Sequence, residues 1–238
     1  AGKAAGVQIN KNSSGMGGSA KVSIRGVRSV AGDNQPLYVI DGVPMLNSTS
    51  EQAFSAIGGT ANAGNRDGGD GISNLNPEDV ESISILKGAP AAALYGSQAA
   101  NGVILITTKK GNTVGRRDIH FSTGLTFEKA FSLPEMQNSY GVSDVTDSWG
   151  EKENLTVYDN LGDFFRTGLT SITSVSVNSG NDKLQTYFSY ANTTGRGILN
   201  ENKLSKHNIN LRETAVLFNS RLKLDGNVNV MKQTVKNK

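Results

Sequence analysis

Residues 76–111 read NPEDVESISILKGAPAAALYGSQAANGVILITTKKG, and residues 35–44 read QPLYVIDGVP. Asn76-Pro77-Glu78-Asp79 is a helix start: a capping Asn, Pro at the first helical position, and carboxylates at the positive end of the peptide dipoles. Residues 82–87 alternate as a strand. Residues 90–95 make a short Ala-rich helix closed by Gly96, and residues 103–109 an apolar strand that runs into a basic turn. In the second stretch, residues 37–40 are strand-like, and Asp41-Gly42 supplies the positive φ of a tight hairpin. Segments 21–26, 37–40, 82–87 and 103–108 are expected to form one mixed sheet with two short helices packed on it. Ile83, Ile85, Val103 and Leu105 are its core candidates, and Leu94 is expected to close a helix face.

Between these stretches, residues 58–71 (GGTANAGNRDGGDG) form a long loop with almost no apolar content. A loop of that length inside a compact domain is usually functional or mobile, and a flexible connector is the alternative reading. Its glycines leave backbone N–H and C=O groups available, and Asn62, Asn65, Arg66, Asp67 and Asp70 add directional donors and acceptors. Such a surface suits a hydroxyl-rich oligosaccharide or a peptide backbone better than an apolar ligand.

After residue 118 the texture changes to alternation. Ile119, Phe121, Leu125 and Phe127 stand against His120, Ser122, Gly124, Thr126 and Glu128; Ile209 and Leu211 alternate with Asn208, Asn210 and Arg212. Leu222, Leu224, Val228 and Val230 give the clearest case, and Tyr187 interrupts the pattern in its own segment. Strands are expected at 118–128, 171–180, 183–193, 204–213 and 220–231, with a short turn at Asn181-Asp182-Lys183 and loops at 130–170 and 194–204. The longer loop carries Trp149 and Asp163-Phe164-Phe165, where a short helix is expected and the aromatics serve loop packing. Period-two alternation by itself favours an antiparallel sheet with one face on a protein core. Strand lengths approaching the ~9–11 residues of a tilted spanning strand point instead to a membrane barrel with lipid outside and a wet lumen.

Composition narrows the function classes. A net charge of +3, without a dense basic run interleaved with aromatics, gives no case for nucleic acid. The absence of Cys removes disulfides, thiolate metal sites and Cys nucleophiles. No apolar run approaches the ~20 residues of a transmembrane helix, which says nothing about strands. His120 and His207 lack metal-ligand partners at helical or hairpin spacing. Gly15-Met16-Gly17-Gly18 does not sit between a strand and a helix as a dinucleotide fingerprint must, and no G-x-S-x-G elbow occurs. Asp67 and Asp70 have the oxygen chemistry of a Ca²⁺ loop without the EF-hand spacing. No cofactor motif and no catalytic constellation emerge, so the expectation is a protein that is not an enzyme.

The order of blocks resembles the SusC/RagA-like TonB-dependent transporters of Gram-negative outer membranes. The carriers are Ile24-Arg25-Gly26, LYVIDGVP at 37–44, Asp70-Gly71-Ile72, LNPEDVESISILKGA at 75–89, ALYG at 93–96 and ANGVILITTKKG at 100–111, with looser matches in SWG at 148–150 and DFFRTG at 163–168. The resemblance implies a mixed α/β plug domain over residues 1–112, followed over 113–238 by the first strands of a transmembrane β-barrel. It implies TonB-dependent import of an oligomeric nutrient, glycan or peptide, across the outer membrane. The implied partners are a SusD-like surface lipoprotein, a TonB complex acting through an N-terminal segment, the cargo, and outer-membrane lipid. It also implies that Arg25 and Lys87 hold the plug to barrel carboxylates, Lys87 without the bidentate fork of an Arg. Five strands cannot close a barrel that in plugged transporters has ~22, so further chain is expected at both ends. A soluble or surface-exposed β-rich ligand-binding module is the alternative reading.

Overall fold

The computed structural model describes residues 4–11, 16–27, 34–45, 70–113, 115–135, 137–142, 144, 149–153 and 158–237. The N-terminal domain contains two sheets. β1 (Val7–Lys11) and β2 (Ala20–Ile24) form an antiparallel hairpin. β3 (Leu37–Ile40), β4 (Val43–Met45), β5 (Val80–Leu86) and β6 (Val103–Thr108) form a four-stranded sheet in the order β4-β3-β6-β5, in which β3 and β6 run parallel. Asp41 (φ 49°) and Gly42 (φ 87°) are both left-handed, as the two-residue turn from β3 to β4 requires.

Alternation distributes the side chains over the two faces of the larger sheet. Tyr38, Ile104 and Ile106 meet Val22 and Ile24 of the hairpin, with Ile85, Ile72 and Leu75 packed around them. On the other side, Val39 and Val103 meet Ala91 of helix α1 (Ala89–Tyr95) and Ala99 of the 3-10 turn that follows. Small residues at this contact allow close approach of helix and sheet. Asn76 caps a 3-10 turn over Pro77–Asp79, its Oδ1 accepting from Glu78 N at 3.2 Å.

Three expectations are corrected. Segment 21–26 does not join the larger sheet: β2 pairs with β1, and only its side chains reach the shared core. Ile83 shares a face with Ile106 but lies on the edge strand β5 and remains 60% exposed. Leu94 is 69% exposed because the short helix packs through Ala91 and Tyr95.

All five strands expected after residue 118 are present, forming an antiparallel meander: β7 (Arg117–Glu128), β8 (Gly168–Gly180), β9 (Leu184–Arg196), β10 (Lys203–Leu217) and β11 (Leu222–Lys236). Their register aligns whole rows across the sheet. Val230–Ile209–Tyr190–Val175–Phe121 and Val228–Leu211–Phe188–Val177–Ile119 run along one face. The opposite face carries Asn229–Asn210–Ser189–Ser176–His120 and Asn227–Arg212–Tyr187–Asn178–Asp118. The apolar face is left exposed, including Leu222, Leu224, Val228 and Val230.

Connections alternate in length from end to end of this sheet. Short turns join β8 to β9 and β10 to β11; in the first, Asn181 Oδ1 accepts from Lys183 N at 2.9 Å and Leu184 N at 2.8 Å. Longer connections occupy the other end, and the first contains helix α2 (Asn160–Phe164), near the expected position. Arg166 ties it to the β9–β10 loop, donating from Nε to Gly197 O at 2.9 Å. Trp149 packs on Tyr140, with ring centroids 5.5 Å apart. Among the described residues no helix is long and apolar enough to cross a membrane, which does not bear on a β-barrel.

Candidate functional site: the seam between the N-terminal domain and the wall

The N-terminal domain rests on the polar face of the five-stranded wall. Arg212 on β10, whose side chain is only 5% exposed, joins the two bodies. Its Nη1 donates to Asp41 Oδ2 at 2.8 Å and to Thr108 Oγ1 at 2.6 Å. Its Nε and Nη2 donate to the two oxygens of Asp225, each at 2.9 Å, in the bidentate geometry that suits guanidinium and carboxylate. The hairpin turn that lifts Asp41 out of β3 aims its carboxylate here. Thr108 at the end of β6 holds it in place, donating from N at 2.9 Å and from Oγ1 at 2.5 Å.

Asp79 makes a second contact and is fully buried. Tyr187 Oη on β9 donates to its Oδ1 at 3.0 Å, and Asn210 Nδ2 to its Oδ2 at 3.3 Å. No cationic side chain pairs with Asp79 among the described residues, so neutral donors stabilise it. Removing the Tyr187 hydroxyl should cost about 1–3 kcal/mol. Tyr187→Phe is therefore expected to speed proteolysis of the N-terminal domain in the intact protein roughly tenfold, since cleavage tracks the opened population. Tyr190→Phe is the control, because its hydroxyl meets His207 Nδ1 on the opposite face. Equal cleavage rates for the two variants would show the Asp79 contact to be dispensable.

A third contact lies nearer the long-loop end. Asp70 is buried and caps the 3-10 turn Gly71–Asn74, its Oδ1 accepting from Ser73 N at 3.0 Å and its Oδ2 from Ala20 N at 3.2 Å. The carbonyl of Ser73 then accepts from Lys206 Nζ, and that of Asn74 from Asn208 Nδ2 at 2.7 Å. Burial, and secondarily the Asp70 carboxylate, push the neighbouring Tyr38 phenol up to about 12.

The residues singled out from sequence fall as follows. Asn62, Asn65, Arg66 and Asp67 lie outside the described residues, whereas Asp70 anchors the end of their loop with both carboxylate oxygens engaged. Arg25, in a left-handed conformation at φ 60°, is exposed beside Gly88 at the open end of the hairpin. Lys87 donates to the carbonyl of Ala5, tying β5 to the start of the hairpin. Neither pairs with a carboxylate among the described residues. Among the described residues two ion pairs join the two bodies: Asp41 of the N-terminal domain with Arg212 of the wall at 2.8 Å, and Lys110 of the N-terminal domain with Asp225 of the wall at 3.8 Å. In the sequence Asp41 and Asp79 stand as turn and helix-start residues, and Arg212 as a polar position in an alternating strand. Tyr187, which interrupts the alternation, was the available signal. No cluster of metal-ligating side chains occurs among the described residues.

Beside the Asp41–Arg212 pair, a cleft of about 620 Å³ opens between β4 and the wall, lined by Val43, Pro44, Leu75, Asn210, Asn227 and Asn229 among others. It marks the space left between the two bodies, apolar on one side and amide-rich on the other.

A family model for the TonB-dependent Receptor Plug Domain matches residues 1–103. TonB-dependent receptor SusC of Bacteroides thetaiotaomicron is 32% identical over 97% of this chain, which spans 22% of that protein. TonB-dependent receptor P39 of Formosa agariphila is 34% identical over 65% of this chain and 12% of its own length. Among solved structures, the RagAB peptide importer in its open-open state superposes with a TM-score of 0.69 at 23% identity, over 98% of this chain and 28% of that one. The chain thus spans about a fifth of SusC, and the likeness to RagAB is one of fold.

Proposed function

Because this chain belongs to the SusC/RagA-like TonB-dependent receptors, we propose that it supplies the gate and part of the wall of an energised importer in the outer membrane of a Gram-negative bacterium. The plug extends through residue 112 and the barrel region spans 113–238, its first strand being β7 (Arg117–Glu128). The observation that carries this reading is the seam itself. A folded domain is seated by polar bonds on one face of a sheet whose other face is apolar and exposed, which is the arrangement a plugged barrel requires.

The plug works as a mechanical gate; no bond of the cargo is made or broken. A pull on the N-terminal end by a TonB complex reaches the β1–β2 hairpin first. That hairpin is a separate sheet, joined to the rest by an apolar core and by bonds such as Ala20–Asp70 and Lys87–Ala5. The four-stranded sheet is the better anchored part, through Asp41 and Asp79. Arg25 and Lys87, at the hairpin's open end, are proposed to meet barrel carboxylates outside the five strands described.

The cargo is proposed to be an oligomeric nutrient, a glycan or, as in RagAB, a peptide, shared between a SusD-like lipoprotein lid and the polar loop that Asp70 anchors. Asn62, Asn65, Arg66 and Asp67 are its proposed contact residues. Deleting residues 61–67 should abolish uptake while leaving barrel assembly and lid binding intact; uptake at the normal rate would make this loop a connector.

The membrane orientation has its own test. Spin labels at positions 222, 224, 228 and 230 should be accessible to oxygen and shielded from aqueous reagents, while labels at 227 and 229 show less oxygen contact. The reverse pattern would favour a soluble module.

A further inference from the structure

Toward the long-loop end, the outer face of the wall changes character within a few rows. Beyond Val230–Ile209–Tyr190 come Lys232–His207–Asn192, then Thr234–Ser205–Thr194, then Lys236–Lys203–Arg196. Three cations therefore stand directly opposite one another on three neighbouring strands, and Lys232 lies on the same face four residues from Lys236. Like charges in such positions destabilise a sheet unless something neutralises them. Glu201 contributes one carboxylate, 3.6 Å from Lys236, in an exposed pair worth little. The cationic row borders a hollow of about 390 Å³ at the rim, lined by Arg196, Lys203, Lys236, Ser205 and Thr234 and also by Gly195 and Leu204. Continued onto β8 and β7, the same row becomes Leu169 and Phe127, the latter 69% exposed. One row thus passes from apolar to cationic, as it would where tilted strands cross the edge of the hydrocarbon layer.

We propose that Arg196, Lys203 and Lys236, assisted by Lys232 and the hydroxyls of Ser205 and Thr234, bind the phosphate of an anionic membrane lipid. Its acyl chains lie along Leu169, Phe127 and Leu125 on β8 and β7. The inference rests on the outer-membrane reading. A bound phosphate would neutralise the aligned cations and accept from their N–H groups, and the hydroxyls would fill its remaining oxygens. An amphiphile fits better than a soluble anion because the cationic row continues into Leu169 and Phe127, with Leu125 beside them on the same face.

The test uses the full-length importer in neutral detergent, with native mass spectrometry reading bound lipid. The probes are lipid A, the same lipid dephosphorylated, and inorganic phosphate. Wild type should retain phosphorylated lipid A, and the triple variant R196Q/K203Q/K236Q should retain at least about tenfold less. Neutralising cations at the opposite rim (K183Q/R221Q) should leave retention unchanged. Equal retention of the dephosphorylated lipid, displacement by equimolar inorganic phosphate, or unchanged retention in the triple variant would overturn the site. So would a triple variant that keeps the lipid and loses the lid lipoprotein. If the triple variant does not assemble, the single changes K203Q and K236Q take its place, each expected to lower retention by a smaller factor. Failure of the membrane reading is separately visible, because the spin labels at 224 and 228 would then report water.

Discussion

Arg212→Ala is expected to unseat the plug and raise ion leak through the full-length importer by about a hundredfold or more. The change removes one cation and leaves Asp41 and Asp225 facing each other at a half-closed seam. Breaking a buried pair by deleting one partner costs about 3–5 kcal/mol, because the remaining charge is left uncompensated. Lys110 Nζ, 3.8 Å from Asp225 Oδ2, can relieve Asp225 in part. Asp41 keeps only its bonds from Thr108. Asp41→Asn should therefore be milder than Arg212→Ala, since it leaves the guanidinium with its two bonds to Asp225. Arg212→Ala combined with Asp41→Asn should raise the logarithm of the leak by less than the two single changes added together, and that difference measures the coupling. Single-channel conductance in planar bilayers is the readout. Arg116, in an exposed pair with Asp118 at 2.7 Å, is the control, and its neutralisation should change conductance little. If Arg212→Ala leaks no more than wild type, the pair decorates the seam without holding it.

What was legible in the chain follows from what each pattern reports. Alternation reports which face a residue occupies, so the five wall strands and their apolar and polar faces could be read directly, down to Leu224 and Val228. It does not report which strand lies alongside. Val22 and Ile24 accordingly reach the expected core while their backbone pairs with β1. Ile83 was read from its face alone, and its edge position was invisible without the strand order. The seam was harder to see because its acids have local duties. Asp41 makes a turn and Asp79 closes a 3-10 start, and each explanation is complete in itself. Tyr187 was different. A large aromatic on the polar face of an alternating strand has no local reason, and its hydroxyl turns out to hold the buried Asp79. An unexplained residue in a regular pattern was therefore the guide to this part of the seam.

The largest functional effect is expected from a staple. A Cβ built on Gly17, in the turn preceding β2, would lie 2.9 Å from Val235 Cγ2 on β11. That places it within reach of Val235 Cβ at the ~3.5–4.5 Å separation a disulfide needs. Cysteines at both positions should cross-link the hairpin to the wall, at the cost of backbone strain because a side chain at position 17 must adopt φ +75°. If the N-terminal pull must draw β1–β2 away from β11, the oxidised protein should import nothing while still binding its lid and cargo, and reduction should restore uptake. The single Gly17→Cys variant isolates the cost of a side chain in this left-handed turn. A second staple locates the part that moves. Cysteines replacing Asn74 and Asn208, which meet across the seam and leave the Asp41–Arg212 pair intact, would when linked by a longer bifunctional reagent tie the segment leading into the four-stranded sheet to the same wall. Import that survives this link and fails with the first means that the hairpin leaves alone, by parting an apolar contact and a few hydrogen bonds. Import blocked by both means that the sheet must also release Asp41 from Arg212, which brings the cost of breaking a buried ion pair into every transport cycle. Import at the normal rate with the first link formed would rule the hairpin out as the moving part.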